Sequence, residues 1–253
     1  MELNKIYHGD CFELVKQIED GSVNLIVTDP PYIVSKSQGG GSVNNIKKLN
    51  VSLQELDRAK LRDGYDIVEF SKEVVRIQGG RINAYFWCNK LQIPEYFKTY
   101  VENLGCKFEI ICWHKMNALP TYSNKYLSDT EYCLYFHTGG FTHPRTYEDA
   151  KTFDIGLINN EDKKEFDHPT IKPINIIQRL IRNSSNEGDV IFDPFCGSGT
   201  TAIAAYRQNR HFIAFEIDDN YYEVANRRFG KECLGEWITK SGNRVKEQSL
   251  FDW

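Results

Sequence analysis

Short β-branched or aromatic runs alternate with segments of helical spacing, and this alternation limits the fold more than any other feature of the chain. The runs are IYHG (6–9), VNLIVT (23–28), INAYFW (82–87), KFEIICWH (107–114), EYCLYFH (131–137), DVIFD (189–193) and HFIAFE (211–216). Helical spacing falls at 11–19, 66–78, 92–104, 174–185, 200–209 and 219–229, with Ile174, Ile177, Leu180 and Ile181 on one face of the fourth. Strands that alternate with helices predict an α/β fold with a doubly wound, mostly parallel sheet. Two polar stretches break the rhythm: 33–64, which contains a Gly-Gly-Gly run, and 138–167. Segments this long without periodicity are usually functional or mobile.

The 253 residues suffice for one buried α/β core with insertions. No apolar run approaches the ~20 residues that span a bilayer. The start, MELNKIYHGD, lacks the basic-then-apolar pattern of a secretory signal, so a cytoplasmic protein without membrane contact is expected. Seven scattered cysteines with no C-x-x-C pair indicate neither a zinc ribbon nor a disulfide framework, and no metal-ligand cluster is visible. A net charge of −4 argues mildly against nucleic acid, although a local basic surface is compatible with an acidic total.

Residues 190–201, VIFDPFCGSGTT, run from an apolar strand into a glycine turn and then a helix. Gly197 and Gly199 allow a tight turn and close approach of a ligand. The following helix start offers unpaired N–H groups to an anion. Glu216, 17 residues beyond Gly199, ends the next strand where a carboxylate can bind ribose hydroxyls. Taken alone, Gly197-x-Gly199-x-x-Ala202 fits a dinucleotide loop, a methyl-donor site or an ordinary strand–helix joint equally well.

Asp29-Pro30-Pro31-Tyr32 directly follows VNLIVT. In doubly wound sheets ligands gather beyond the carboxyl ends of strands, and both motifs occupy such ends. The prolines stiffen the turn and leave carbonyls that only accept hydrogen bonds. The Asp29 carboxylate and Pro30 carbonyl can each take one N–H of an exocyclic amine. This draws the nitrogen toward tetrahedral geometry and localises its lone pair for attack on a sulfonium methyl. Tyr32 offers an aromatic face to a base outside the duplex. The plain alternative is a rigid turn.

Four blocks together resemble the β-class DNA amino-methyltransferases: Gly9-Asp10-Cys11, Asp29-Pro-Pro-Tyr32, His168-Pro-Thr-Ile-Lys-Pro173 and Asp193-Pro-Phe-Cys-Gly-Ser-Gly-Thr-Thr201. The catalytic block precedes the glycine loop, the circular permutation of that class. The resemblance implies a Rossmann-like S-adenosylmethionine-dependent methyltransferase fold, one domain over 1–253, with a target-recognition insertion at 114–167 and a DNA-contacting loop at 33–64. It implies that Asp29, Pro30 and Tyr32 are catalytic. It places Asp10 at the cofactor's adenine end, Glu216 on the ribose and Ile217 against the adenine ring. Asp193 belongs to the cofactor block; Phe195, Gly197 and Gly199 line the methionine end, with Thr200 and Thr201 on the carboxylate and Thr170 and Lys172 assisting. Asp10 as a plain helix cap, Lys172 as a solvated lysine and Ile217 as core are the bland counterparts. Asp rather than Ser at position 29 favours adenine N6 over cytosine N4.

Within 114–167, Lys115, Lys125, Arg145, Lys151, Lys163 and Lys164 are candidates for phosphates, and Asn117 or Asn124 for base edges. Double-stranded DNA is the expected partner, with a homodimer and a restriction endonuclease partner implied by the resemblance. Glu247-Gln-Ser-Leu-Phe251 resembles a sliding-clamp-binding peptide, against the simpler reading that Leu250, Phe251 and Trp253 pack on the core. The competing readings are a cytosine-N4 methyltransferase, a nicotinamide-dependent oxidoreductase, for which Asp29-Pro-Pro-Tyr32 has no use, and a catalytically silent DNA-binding subunit. RNA or protein substrates fit less well, since those enzymes usually carry Asn-Pro-Pro-Tyr.

Overall fold

Eight strands form one sheet in the order β1-β8-β7-β2-β3-β5-β4-β6. They are β1 (Lys5–His8), β2 (Leu25–Thr28), β3 (Asn83–Cys88), β4 (Lys107–Lys115), β5 (Thr130–His137), β6 (Phe153–Gly156), β7 (Val190–Asp193) and β8 (His211–Glu216). The structure is a computed structural model and describes residues 1–32, 65–118, 126–156, 171–238 and 242–246. Strands β1, β8, β7, β2 and β3 are parallel, β5 is antiparallel to β3 and β4, and β6 is parallel to β4. All seven runs read as strands are strands. Strand β6 and the short helix Tyr147–Ala150 add order to a stretch expected to be irregular. The proposed loop at 33–64 and the tail at 247–253 lie outside the described residues.

Among the described residues the α-helices are α1 (Cys11–Leu14), α2 (Ile67–Ile77), α3 (Ile93–Tyr96), α4 (Tyr147–Ala150), α5 (Ile174–Ser184), α6 (Thr200–Tyr206) and α7 (Asp219–Phe229). Helix α2 buries Ile67, Phe70, Ser71, Val74 and Ile77, a single stripe at helical spacing. Its Asp66 cap accepts from the Glu69 amide at 2.8 Å. It ends where Gly79 and Gly80 take left-handed backbone, φ 60° and 80°. Two expected helices differ from their spacing. Segment 11–19 is α1 followed by a tighter 3-10 turn at Val15–Gln17. Segment 92–104 begins as α3 and widens into π-helical turns over Phe97–Asn103, and Tyr96 and Tyr100 both lie within 5.2 Å of Phe86.

The pleat divides the core between the two faces of the sheet. Leu25, Val27, Tyr85 and Trp87 pack with Ile176, Ile177, Leu180 and Ile181 of α5 and with the alanines of α6. Ile26, Ala84 and Phe86 point the other way, onto Phe70 and Val74 of α2 and onto Tyr96 and Tyr100. Burial on both faces explains why β2 and β3 read as unbroken apolar runs. Among the described residues, no helix is long and apolar enough to cross a membrane.

Candidate active site

The two sequence motifs leave neighbouring parallel strands, β2 and β7, whose register pairs Leu25 with Ile191 and Ile26 with Phe192. One buried hydrogen bond joins the ends of these strands: Thr28 Oγ1 donates to Asp193 Oδ1 at 2.7 Å. The Phe195 amide also donates to Asp193 Oδ1, at 3.2 Å. Burial pushes the Asp193 carboxyl up to about 7, against hydrogen bonds from Thr28, Thr201 and Phe195 that lower it. Asp193 therefore braces the floor between the motifs.

A cleft opens above this joint. Its lining takes Gly9, Asp10, Cys11 and Phe12 from the β1–α1 corner, and Thr28, Asp29 and Pro31 from the end of β2. Asp193 through Ser198, Thr200 and Thr201 come from the glycine loop, and Glu216, Ile217 and Tyr221 from the end of β8 onward. Gly197 and Gly199 have φ of 50° and 79°, the left-handed backbone that glycine allows. A Cβ on Gly199 would also meet the Cβ of Ala225 at 3.3 Å, so the loop lies tightly on α7. Glu216 accepts from the Gly197 amide at 2.8 Å and the Asp218 amide at 2.9 Å, which fixes its carboxylate at the cleft wall. Burial raises its pKa despite these bonds. A carboxylate has about four acceptor positions, so these bonds leave capacity for a hydroxyl donor.

The Asp29-Pro-Pro-Tyr32 block carries a chain of charges. Tyr32 Oη donates to Asp29 Oδ1 at 2.6 Å, and the Lys172 ammonium donates to Asp29 Oδ2. Burial and the Asp29 charge raise the Tyr32 phenol well above its usual range, so it stays a donor. Lys172 Nζ also lies 3.1 Å from Glu131 Oε2, and Lys115 Nζ lies 2.9 Å from Glu131 Oε1. Burial opposes the Lys172 charge, but the Asp29 and Glu131 carboxylates outweigh it and hold the ammonium above its ordinary range. Burial likewise opposes the Glu131 charge, yet Lys172 and Lys115 bring that carboxyl down to about 2. Trp87 closes the back wall, its ring centroid 5.2 Å from Lys172 Nζ.

Most of the residues singled out in the sequence meet here. Asp10 lines the cleft and also caps α1, accepting from the Phe12 amide at 2.8 Å. Phe195 is half-buried against Tyr65, with ring centroids 5.0 Å apart. Ile217 is 41% exposed, an uncovered apolar side chain at the cleft rim. Thr200 Oγ1 accepts from Arg228 at 2.8 Å and Thr201 Oγ1 donates to the Val27 carbonyl at 3.3 Å, so both hydroxyls are tied to the scaffold. Pro30 is buried beneath the block, while Gln92 Nε2 donates to the Pro31 carbonyl at 2.9 Å. Lys172, assigned by the resemblance to the methionine end, meets Asp29 and Glu131 instead of standing solvated. Lys115, read as a phosphate contact, faces inward to Glu131. Thr170 lies outside the described residues. Sequence reasoning missed Glu131, Trp87, Tyr65 and Tyr221. Glu131 alone carried a signal, as a charge within the apolar run EYCLYFH.

Comparison with known proteins agrees with this architecture. Residues 23–227 match the family model described as DNA methylase. The Type II methyltransferase M2.LlaDCHI of Lactococcus lactis subsp. cremoris is 30% identical over 243 residues, covering 89% of each chain. This chain belongs to the N6/N4 DNA methylase family. M2.DpnII of Streptococcus pneumoniae is 29% identical, covering 90% of both chains. The crystal structure of the M1.HpyAVI–SAM complex shares the fold, with a TM-score of 0.64 at 24% identity over 89% of this chain and 98% of that one. The family is S-adenosylmethionine-dependent, and the exposed Ile217, the Glu216 acceptors and the glycine cradle fit an adenosyl group with an extended amino-acid tail.

Proposed function

We propose that this methylase modifies N6 of adenine in double-stranded DNA, with Asp29, Pro30 and Tyr32 as the catalytic residues. The observation that carries the reading is the position of Asp29, at the end of β2 and in the same cleft as the glycine loop of β7. The bound cofactor supplies an electrophilic methyl group on sulfur. Glu216 holds ribose hydroxyls, Ile217 covers the adenine ring, and Asp10 takes the adenine edge. Phe195, Gly197, Gly199, Thr200 and Thr201 shape the remainder.

The Asp29 carboxylate, oriented by Tyr32 and Lys172, accepts an N–H from the target amine, and the Pro30 carbonyl takes the other. Two fixed acceptors stabilise the positive charge that develops on nitrogen as it attacks. Tyr32 provides the stacking face for the flipped base. The Type II relatives support a restriction-modification setting in a bacterial cytoplasm. The proposed partners are an endonuclease acting on the same DNA site and a second copy of this chain. Residues 114–167 read the site.

The test is nucleoside mass spectrometry of unmethylated mixed-sequence DNA after incubation with protein and S-adenosylmethionine. N6-methyladenine supports the reading. N4-methylcytosine keeps the mechanism and replaces the base, and DNA without either nucleoside refutes both.

A further inference from the structure

The four-residue charge chain behind the cleft extends beyond what binding a target amine requires. Asp29 needs a donor to orient it, and Tyr32 already provides one at 2.6 Å. Lys172 provides a second, and its side chain is only 7% exposed. A lysine buried to this degree is stable only when its charge is compensated. Asp29 lies just past the end of β2 and Lys172 just before α5, both outside the regular elements, whereas Glu131 ties the ion pair to the sheet. Glu131 sits on β5, paired through Trp113 with β4, and its other oxygen takes Lys115 at the end of β4. Just beyond, the Lys115 amide donates to the Asp129 carbonyl at 2.6 Å and the Met116 amide to the Gly156 carbonyl at 3.0 Å. These bonds close the stem from which the region after β4 leaves the sheet.

Resting on the reading of Asp29 as the catalytic acceptor, we propose that Glu131 is a positioning residue for methyl transfer: it fixes the Lys172 ammonium on Asp29 and so ties the orientation of the catalytic carboxylate to the β4–β5 stem. Glu131 does not line the cofactor cleft. It reaches the cleft through Lys172, so its removal is expected to lower the chemical step more than it weakens binding of S-adenosylmethionine or DNA. A misplacement of about 1 Å at a reacting group lowers the rate by about 10²-fold. Because Glu131 acts through Lys172, loss of both residues costs no more than loss of Lys172 alone.

The experiment compares wild type, Glu131→Gln, Glu131→Asp, Lys172→Met and the Glu131→Gln/Lys172→Met double variant. Single-turnover methyl transfer is measured at saturating cofactor and DNA, alongside the dissociation constant of each. Lysine-selective ¹⁵N NMR reports the Lys172 ammonium directly, its signal assigned by absence in Lys172→Met. Held on two carboxylates, the ammonium exchanges slowly and is visible in wild type. The expected result is a fall of about 10²-fold in the Glu131→Gln rate. Both dissociation constants stay within about threefold of wild type, the ammonium signal is lost, Glu131→Asp recovers part of the rate and signal, and the double variant matches Lys172→Met. A wild-type rate and signal in Glu131→Gln overturn the proposal, as does a loss that appears wholly as weaker cofactor binding. A wild type that transfers no methyl to DNA refutes the underlying reading instead, and the NMR signal still decides whether Glu131 holds Lys172.

Discussion

Replacing Asp193 by Asn should make the protein more resistant to unfolding at alkaline pH and leave little difference at acid pH. The carboxyl is 4% exposed and titrates at about 7 in the fold, against 3.8 as its ordinary value. The native state therefore binds more protons than the unfolded chain between those two values. Stability from this group is complete below 3.8, is lost as pH rises, and is fully gone above about 7. At about 1.4 kcal/mol for each pH unit, the total is of order 4 kcal/mol, of which about 3 kcal/mol falls between pH 5 and 8. Asn keeps an oxygen for the Thr28 hydroxyl and the Phe195 amide, bonds of 2.7 and 3.2 Å, and carries no charge to desolvate. The assay is urea unfolding of wild type and Asp193→Asn at pH 5 and pH 8 without cofactor. Glu216 also has a raised pKa and contributes with the same sign in both proteins, so it cancels in the comparison. The stability difference should move by about 3 kcal/mol in favour of Asn between the two pH values. An identical difference at both would refute a buried, proton-linked Asp193.

Gly199→Ala places a Cβ at φ 79° and 3.3 Å from the Cβ of Ala225; it should cost about 1–2 kcal/mol, lower Tm by several degrees and weaken cofactor binding, as thermal melting and calorimetry would show. Tyr32→Phe removes the donor to Asp29 but keeps the ring, so kcat should fall about tenfold with DNA affinity retained, whereas Tyr32→Ala should also weaken binding by about 1–3 kcal/mol in stacking. Arg76→Ala removes the guanidinium donors to the Val15 and Ile18 carbonyls, at 2.8 and 2.7 Å, while Val15 keeps the Ile18 amide at 3.0 Å; urea unfolding should register a loss of about 1–3 kcal/mol.

The motifs that make the cleft were legible because each is local. A strand running into Gly197 and Gly199, and another into Asp29-Pro30-Pro31, declare strand ends by their own chemistry, and the doubly wound rule brings such ends to one side of the sheet. The pleat was legible for the same reason, since burial on both faces writes an unbroken apolar run. The charge chain was not. Glu131 meets Lys172 only because β5 runs antiparallel between β3 and β4, a register that no local spacing encodes. Lys115 looked like a surface charge for the same reason, its partner being supplied by the neighbouring strand. Strand β6 escaped notice because only four residues pair, with Phe153 and Ile155 exposed rather than alternating into a core. The helices at 11–19 and 92–104 were found but not their pitch, which is set by packing rather than by apolar spacing.

The central claim is that Asp29 acts on a DNA amine within a cofactor cleft it shares with the glycine loop. The most direct measurement incubates wild type and Asp29→Ala with methyl-labelled S-adenosylmethionine and unmethylated DNA, and determines cofactor affinity for both proteins. The account predicts label in N6-methyladenine with wild type, none with Asp29→Ala, and similar cofactor affinity in the two. Label transferred at the wild-type rate by Asp29→Ala would contradict it.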